Sequence, residues 1–527
     1  MTPTGRPEPP APERDDPGGA PWQRLDRRAP LVVAAVLGSI SAGVCLPVLL
    51  GLSSGIWFGA DVRHGTGLLL LLGGAALLIL GGAAAEYVTW RRTHYRIGPE
   101  RVELHSGLLL VKRRSLARER IRSVDLTANP LLRVLGLVKA RIGTGERGAG
   151  GESTLELDPV SRAEGERLRR ELLDRPAGNT GADPRRDGDL ASLDPRWIRY
   201  APLSFVPWLL GGAAAGAVMQ VSDWFGVQHD VISAVGDFFL ETTVTVMVLS
   251  LVLAALAAGA VGSLGLWVEM WWNYRLEREP GGTLRVRRGL LTVRSVSVEE
   301  RRLRGIELVE PLGIRLAGAA RVDAVATGIS RSDQDKNIDL NVLLPPAPRA
   351  YADEVAAVIL REPAAPTGTP LTAHPRAART RRLRWALWAA LTPPVILAAL
   401  GLWLTPVLLY IAAGFTAFAV PAAVLLALDA YRSLGHAVSG GYLIARSGTL
   451  RRSTVALRRD GVIGWVVTRS VFQRRAGVLT LTATTAAGAG AYSVRDAGEE
   501  EGLRFADEAV PGLLAPFLER DSGPAEG

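Results

Sequence analysis

Cysteine is all but missing from this chain. There is one, Cys45, among 527 residues, so an intrachain disulfide and a cysteine metal cluster are both excluded. The six histidines are His64, His94, His105, His229, His374 and His436, and no two stand at zinc-ligand spacing. A Gly-x-Ser-x-Gly elbow and a Walker loop are missing as well. The Gly-rich GERGAGGE (Gly145–Glu152) lacks the Lys-Ser/Thr of a phosphate loop and reads as a hairpin turn. The sequence thus offers an enzyme no catalytic cluster, no metal site and no cofactor motif. Lysine is scarce, so arginine carries nearly all the positive charge of a chain with net charge +9. Acids, Lys and His are missing from the middle of the apolar runs, which disfavours an ion or proton pathway and hence a transport or channel component.

What is present is apolar residue in runs. Hydrophobic residues make up 48% of the chain. They concentrate in six segments: Leu31–Leu52, Gly67–Val88, Pro202–Val221, Thr243–Val268, Trp385–Leu404 and Val407–Leu428. Each is near the ~20 residues a membrane-spanning helix needs. They form three hairpins with long polar stretches between them. Arginines flank the outer ends: RLDRR (Arg24–Arg28), WRRTHYR (Trp90–Arg96), PRWIRY (Pro195–Tyr200), YRLER (Tyr274–Arg278), RTRRLR (Arg379–Arg384) and AYR (Ala430–Arg432). The turn Ser222–Thr242 has no Lys or Arg. The positive-inside rule then puts both termini and every long polar stretch in the cytoplasm of a multi-pass cell-membrane protein. Basic residues beside apolar runs point to anionic lipid and away from nucleic acid. Gly-rich runs such as Gly81–Ala85 and Gly211–Ala217 suit close helix packing, in a six-helix bundle or a homo-oligomer.

The polar stretches repeat. Anchored on Gly107, Gly289 and Gly448, each has an aliphatic residue fourteen positions on (Ile121, Leu303, Val462). Each then has an arginine at twenty-six (Arg133, Arg315, Arg474) and a glycine at twenty-nine (Gly136, Gly318, Gly477). The chain is a threefold repeat of membrane hairpin plus polar unit. In the first unit the expected strands are His94–Ile97, Arg101–His105, Leu108–Arg113, Ile121–Leu126, Ala140–Thr144 and Thr154–Leu157. A helical pattern closes each unit, which makes it α+β: antiparallel sheet capped by one C-terminal helix. The expected layout is a disordered tail 1–28, hairpin 29–92, unit 93–175, linker 176–195, hairpin 196–272, unit 273–362, linker 363–380, hairpin 381–432 and a divergent unit 433–520. The linkers are too rich in Pro and Gly to pack.

A hairpin, then Tyr-x-Ile/Leu, a strand, Gly-Leu-Leu, a basic strand, R-I-x-S-V and an R-x-x-G step resembles the bacterial PH-like membrane protein family, in its multi-copy YdbS/YdbT-like form. The resemblance covers Leu31 to Glu519. It implies PH-like domains, each a bent seven-stranded sheet closed by a helix. It implies no reaction.

The basic strands supply the candidate site residues: Lys112, Arg113, Arg114, Arg118, then Arg287, Arg288, Arg294, then Arg451 and Arg452. Near an anionic surface each is worth on the order of 1 kcal/mol. The alternative is a solvated face with weak local pairs. For the R-x-x-G residues and the anchor glycines a fold role is expected, with glycine supplying positive φ or close approach. The acids Glu86, Glu269 and Asp429 end the second helix of each hairpin, where interfacial ion pairs are expected. The function expected is binding or scaffolding at the inner leaflet, with membrane lipids or a membrane protein as partner, in envelope maintenance.

Overall fold

The structure is a computed structural model. It describes residues 21–53, 64–107, 112–121, 123–143, 154–173, 188–204, 206–224, 227–240, 243–279, 282–327, 341–514 and 516. The tail before residue 21, the Gly-rich turn Gly145–Gly151, Arg122 and most of the first linker lie outside these residues.

The first repeat runs β1 (Gln23–Arg24), α1 (Ala29–Ser53), α2 (His64–Arg92), β2 (His94–Ile97), β3 (Arg101–Ser106), β4 (Lys112–Ala117), β5 (Ser123–Ala128), α3 (Pro130–Val134), β6 (Leu137–Gly143), β7 (Thr154–Ser161) and α4 (Arg162–Leu173). The second runs β8 (Gly188–Ser192), α5 (Val206–Trp224), α6 (Gln228–Leu240), α7 (Val244–Trp271), β9 (Arg275–Glu279), β10 (Thr283–Arg288), β11 (Val293–Glu299), β12 (Leu303–Pro311), α8 (Leu312–Leu316), β13 (Ala319–Ala326), β14 (Val342–Pro348) and α9 (Arg349–Leu360). The third runs α10 (Arg376–Trp403), α11 (Val407–Arg432), β15 (Gly435–Ser439), β16 (Tyr442–Ser447), β17 (Arg451–Arg458), β18 (Gly464–Thr468), α12 (Val471–Arg475), β19 (Val478–Thr484), β20 (Ala491–Gly498) and α13 (Glu499–Ala509).

Each unit therefore has an N-terminal half-sheet, a second half-sheet of three strands, and a closing helix. The short helices that follow the first strand of the second half-sheet in the first and third units, α3 and α12, start on side-chain caps. Asn129 accepts from the Leu132 amide at 2.8 Å, and Ser470 with Gln473 forms a reciprocal capping box. Gly136, Gly318 and Gly477 end α3, α8 and α12 with φ of 70°, 70° and 62°, the left-handed turn that lets the chain reverse into the next strand. Alternating burial along β3 and β6 turns Val102, Leu104, Leu137, Val138, Ala140 and Ile142 into the first core.

The half-sheets do not stay within their units. β5 of the first unit pairs with β11 of the second, giving one seven-stranded sheet in the order β7-β6-β5-β11-β10-β9-β8. β12 of the second pairs with β17 of the third in a sheet ordered β14-β13-β12-β17-β16-β15. What remains is β1-β2-β3-β4 at one end and β18-β19-β20 at the other. Apolar packing crosses the joints too. Ala437, Tyr442, Ile444 and Ala456 of the third unit belong to the core of the second.

Residues of the connectors take part in the sheets. Ahead of the first hairpin, Gln23 and Arg24 pair with Tyr95 and His94. The first linker ends in β8, which pairs with β9. The second linker packs: Thr372 bridges to His436, and Thr367 and His374 are buried. In every repeat, residues ahead of the hairpin pair with the strand that follows it, so both hairpin ends are stitched to one sheet. The turn Ser222–Thr242 also holds α6, which the low charge of that segment gave no reason to expect.

Four helical segments are long and apolar enough to cross a membrane: Leu72–Arg92, Thr245–Trp271, Arg376–Trp403 and Val407–Arg432. Of the other two expected spans, α5 continues from the 3-10 helix Pro195–Leu203 across a 71° bend, and α1 runs for 25 residues, apolar over Ala29–Gly43. Helices pack chiefly within hairpins, α1 on α2, α5 on α7 and α10 on α11. Between α5 and α7 the backbones come so close that a Cβ on Gly211 or Gly259 would collide with the carbonyls of Ala255 or Pro207.

Candidate basic sites beside the membrane helices

Beneath the end of α7, where the first and second units join, lies a cavity of about 470 Å³. Arg133, Arg162, Arg275, Arg285, Arg287 and Arg288 line it, with one carboxylate, Glu166. Glu166 is taken up by Arg285 at 2.6 Å and Arg169 at 3.2 Å. The same two arginines reach Glu279 at 3.2 and 2.7 Å. Burial by itself would raise the Glu166 carboxyl, but Arg285 and Arg169 outweigh it and hold it below the usual carboxylate range. That network of two arginines and two glutamates is neutral. The rest of the lining is cationic.

Arg288 is buried and stacks its guanidinium 4.3 Å from the centre of the Trp271 ring, a cation–π contact. Arg133 donates to the Leu290 carbonyl. The side chains of Arg162, Arg275 and Arg287 have no hydrogen-bond or ion-pair partner among the described residues, and the first two residues are exposed. Trp271, Trp272 and Asn273 place the cavity at the end of a span. Three converging free guanidiniums there suit a phosphate or carboxylate group, which arginine binds through its planar fork.

A second cavity, about 680 Å³, sits where α10 and α11 enter the third unit. Arg381, Arg382 and Arg495 line one side, and Trp385, Leu426, Ala427 and Ala430 the other. Asp496, buried and at φ 60°, holds Arg381 at 2.5 Å, Arg382 at 3.3 Å and the Gln473 amide at 3.0 Å.

The expected site residues fall into different places. Lys112 and Arg113 are exposed on β4 and Arg114 is half-buried there. Arg118 donates to the Glu171 carbonyl of α4. Arg287 and Arg288 line the first cavity. Arg294 lies on β11 opposite Thr127 of β5. Arg452 meets Glu310 at 2.7 Å and Arg451 meets Glu307 at 3.7 Å, inside the joint between the second and third units. Gly107, Gly289 and Gly448 have φ of 136°, 114° and 108°. A Cβ on Gly289 or Gly448 would also strike the carbonyl of Thr292 or Arg451. Arg315 reaches forward to Asp429 on α11 at 2.7 Å, as Arg133 reaches forward to Leu290. Arg474 is exposed and has no partner among the described residues. Glu269 caps the loop after β10, accepting from the amides of Leu291 and Thr292 at 2.9 and 2.8 Å.

Sequence reasoning missed Arg162, Arg275 and Glu166. They are far apart in the chain and meet only because β5 and β11 pair. The signal that could have found Arg275 is its position, one turn past a span, among other arginines.

A fold of paired half-sheets, each unit closed by a helix and hung from apolar helices, defines a membrane protein with PH-like domains. The bacterial PH domain family model matches residues 32–176 and 392–511, and the chain belongs to that family. The matched segments are the first and third repeats; the second, with the same strand order, lies between them. Among curated proteins, the UPF0699 transmembrane protein YdbT of Bacillus subtilis (strain 168) is 31% identical over 94 residues. That is 18% of this chain and 19% of the relative, so the chain matches about a fifth of YdbT's length. No solved structure matches.

Proposed function

We propose that the chain is a non-enzymatic scaffold with six membrane passes that holds three PH-like units against the anionic face of the inner leaflet. Both termini and all three units lie in the cytoplasm, and the first cavity takes an anionic lipid headgroup. The observation that carries this reading is the trio Arg162, Arg275 and Arg287, unpartnered among the described residues beneath the last turn of α7. The arginine runs at the outer hairpin ends support the orientation.

The test uses the full chain in nanodiscs of neutral lipid doped with phosphatidylglycerol, with retained lipid measured by native mass spectrometry. Changing the three arginines to Gln together removes about 3 kcal/mol of attraction at ~1 kcal/mol each. Preference for the anionic lipid then falls by about two orders of magnitude. Equal retention by both proteins, at low and high salt, would refute headgroup binding here. Inside-out labelling of single cysteines in each unit tests the orientation separately.

A further inference from the structure

Among the described residues, two strand edges break the pattern set by the joints. β1, β8 and β15 are edges in every repeat, and so are β7, β14 and β20. β4 and β18 are different. Their counterparts β11, β17, β5 and β12 are all paired across joints. We propose that β18 of one copy pairs antiparallel with β4 of a second copy, which continues the internal joint between molecules.

The register is fixed by the two joints already present. Counted from the anchor glycine of its own unit, Ala128 is position 21 and its partner Val293 is position 4 (128 − 107 and 293 − 289). Glu310 is again position 21, and its partner Arg452 is position 4 (310 − 289 and 452 − 448). Leu126 and Leu308 are both position 19, and their partners Ser295 and Thr454 are both position 6. The two joints use one register. Applied to the open edges, it sets Val467 opposite Arg113, Val466 opposite Arg114, Trp465 opposite Ser115 and Gly464 opposite Leu116.

Burial tells the same story from the side chains. Position 19 is 5% exposed at Leu126 and 0% at Leu308, but 42% exposed at Val467. Val466, Val471 and Phe472 are exposed around it. On the other edge Arg113 and Ser115 are exposed, whereas their counterparts Ser295, Ser297, Thr454 and Ala456 are buried. Arg474 adds an independent point. Its equivalents Arg133 and Arg315 each grip the next unit, whereas the Arg474 side chain is exposed and has no partner among the described residues.

Such contacts are heterologous: they close into a ring if the step between units closes, and run on as a strip if it does not. Every unit follows directly on apolar helices, so copies in one membrane share one plane and orientation, which raises their effective concentration. Basic residues on β4 suppress pairing with arbitrary strands, while β18 brings no charge of its own to oppose them.

The test is disulfide trapping of the full chain in membranes on a Cys45→Ser background. Directly opposed residues lie within disulfide reach. Val467→Cys and Arg113→Cys on separate chains, mixed, give a dimer. Both changes on one chain give a ladder of higher species. Val467→Cys with Ala117→Cys, four residues out of register, cross-links at least about tenfold less. A second measurement needs no cysteine. The wild-type chain in nanodiscs runs as an oligomer, and Val466→Lys with Val467→Lys, at exposed positions facing arginines, makes it monomeric. Cross-linking only within one chain, equal yields from both registers, or a monomeric wild type would each overturn the proposal. So would trapping of Val467→Cys on a different protein.

Discussion

Lowering the pH should loosen the third unit from its linker, and the size of the effect can be worked from two histidines. His436, 2% exposed on β15, sits with its Nδ1 3.1 Å from the His374 Nε2. The His374 Nδ1 is 3.1 Å from the Asp496 carbonyl, Tyr431 donates to the His374 carbonyl at 2.9 Å, and Phe505 of α13 packs edge-on against His436. Burial, with His374 close by, pushes the His436 pKa down to about 4 from an ordinary 6.5. Burial lowers His374 too, against the pull of Asp496. A base whose folded pKa is depressed binds fewer protons folded than unfolded. The stability is therefore complete above 6.5 and is lost as pH falls toward 4. For His436 alone the loss reaches about 3 kcal/mol at 1.36 kcal/mol per unit, and by pH 5 it is already about 2 kcal/mol. The reporter is the Thr372 amide, which donates to the His436 carbonyl at 2.9 Å. Its hydrogen-exchange protection, corrected for the intrinsic rate, should fall between pH 7 and 5, and His436→Phe should flatten the dependence. Protection equal at both pH values in the wild-type chain would refute the reasoning.

Glu310 is 2% exposed and held by Arg452 and Arg349. Glu310→Ala takes the buried carboxylate from two half-buried guanidiniums, of which Arg349 keeps Asp353 at 2.8 Å, and costs about 1.5–3 kcal/mol, seen as faster proteolysis between the second and third units. Burial would raise its carboxyl, but Arg452 and Arg349 prevail and lower it, so this stabilisation holds above the unfolded carboxylate pKa and fades as pH falls through the folded one. Gly448→Ala forces a β-carbon into the Arg451 carbonyl at φ 108° and costs about 1–3 kcal/mol. Gly441→Ala meets open space and should leave a thermal scan nearly unchanged. Arg315→Ala breaks a 2.7 Å ion pair to α11 and should cost about 1.5–3 kcal/mol, measured by exchange at Ser433 and Leu434. Arg474→Ala should leave the melting of a monomeric preparation unaltered.

The repeat was legible in sequence because its anchors are backbone requirements. Only glycine suits φ of 108° to 136° at positions 107, 289 and 448, and only a tight reversal explains glycine at 136, 318 and 477. The apolar hairpins were legible by length alone. What could not be read was the trading of half-sheets between units. β5 and β11 carry the same alternation whether they pair with each other or with strands of their own unit, so the pattern is silent on the partner. That silence explains the site residues. Arg452 looks like a solvated charge until β12 brings Glu310 beside it, and Arg288 does so until Trp271 lies under it. Short strands such as β8 hid among Pro and Gly because two or three ladder bonds at a sheet edge ask little of their side chains.

The joints carry one more implication. Helices in this protein find their partners inside their own hairpins, while continuous sheets outside the apolar layer bind unit to unit. The lateral spacing of the hairpins is thus ruled from outside the bilayer, like piles held by a beam above the water. A change buried in β12, far from any lipid, would alter how freely α10 and α11 wander in the membrane plane.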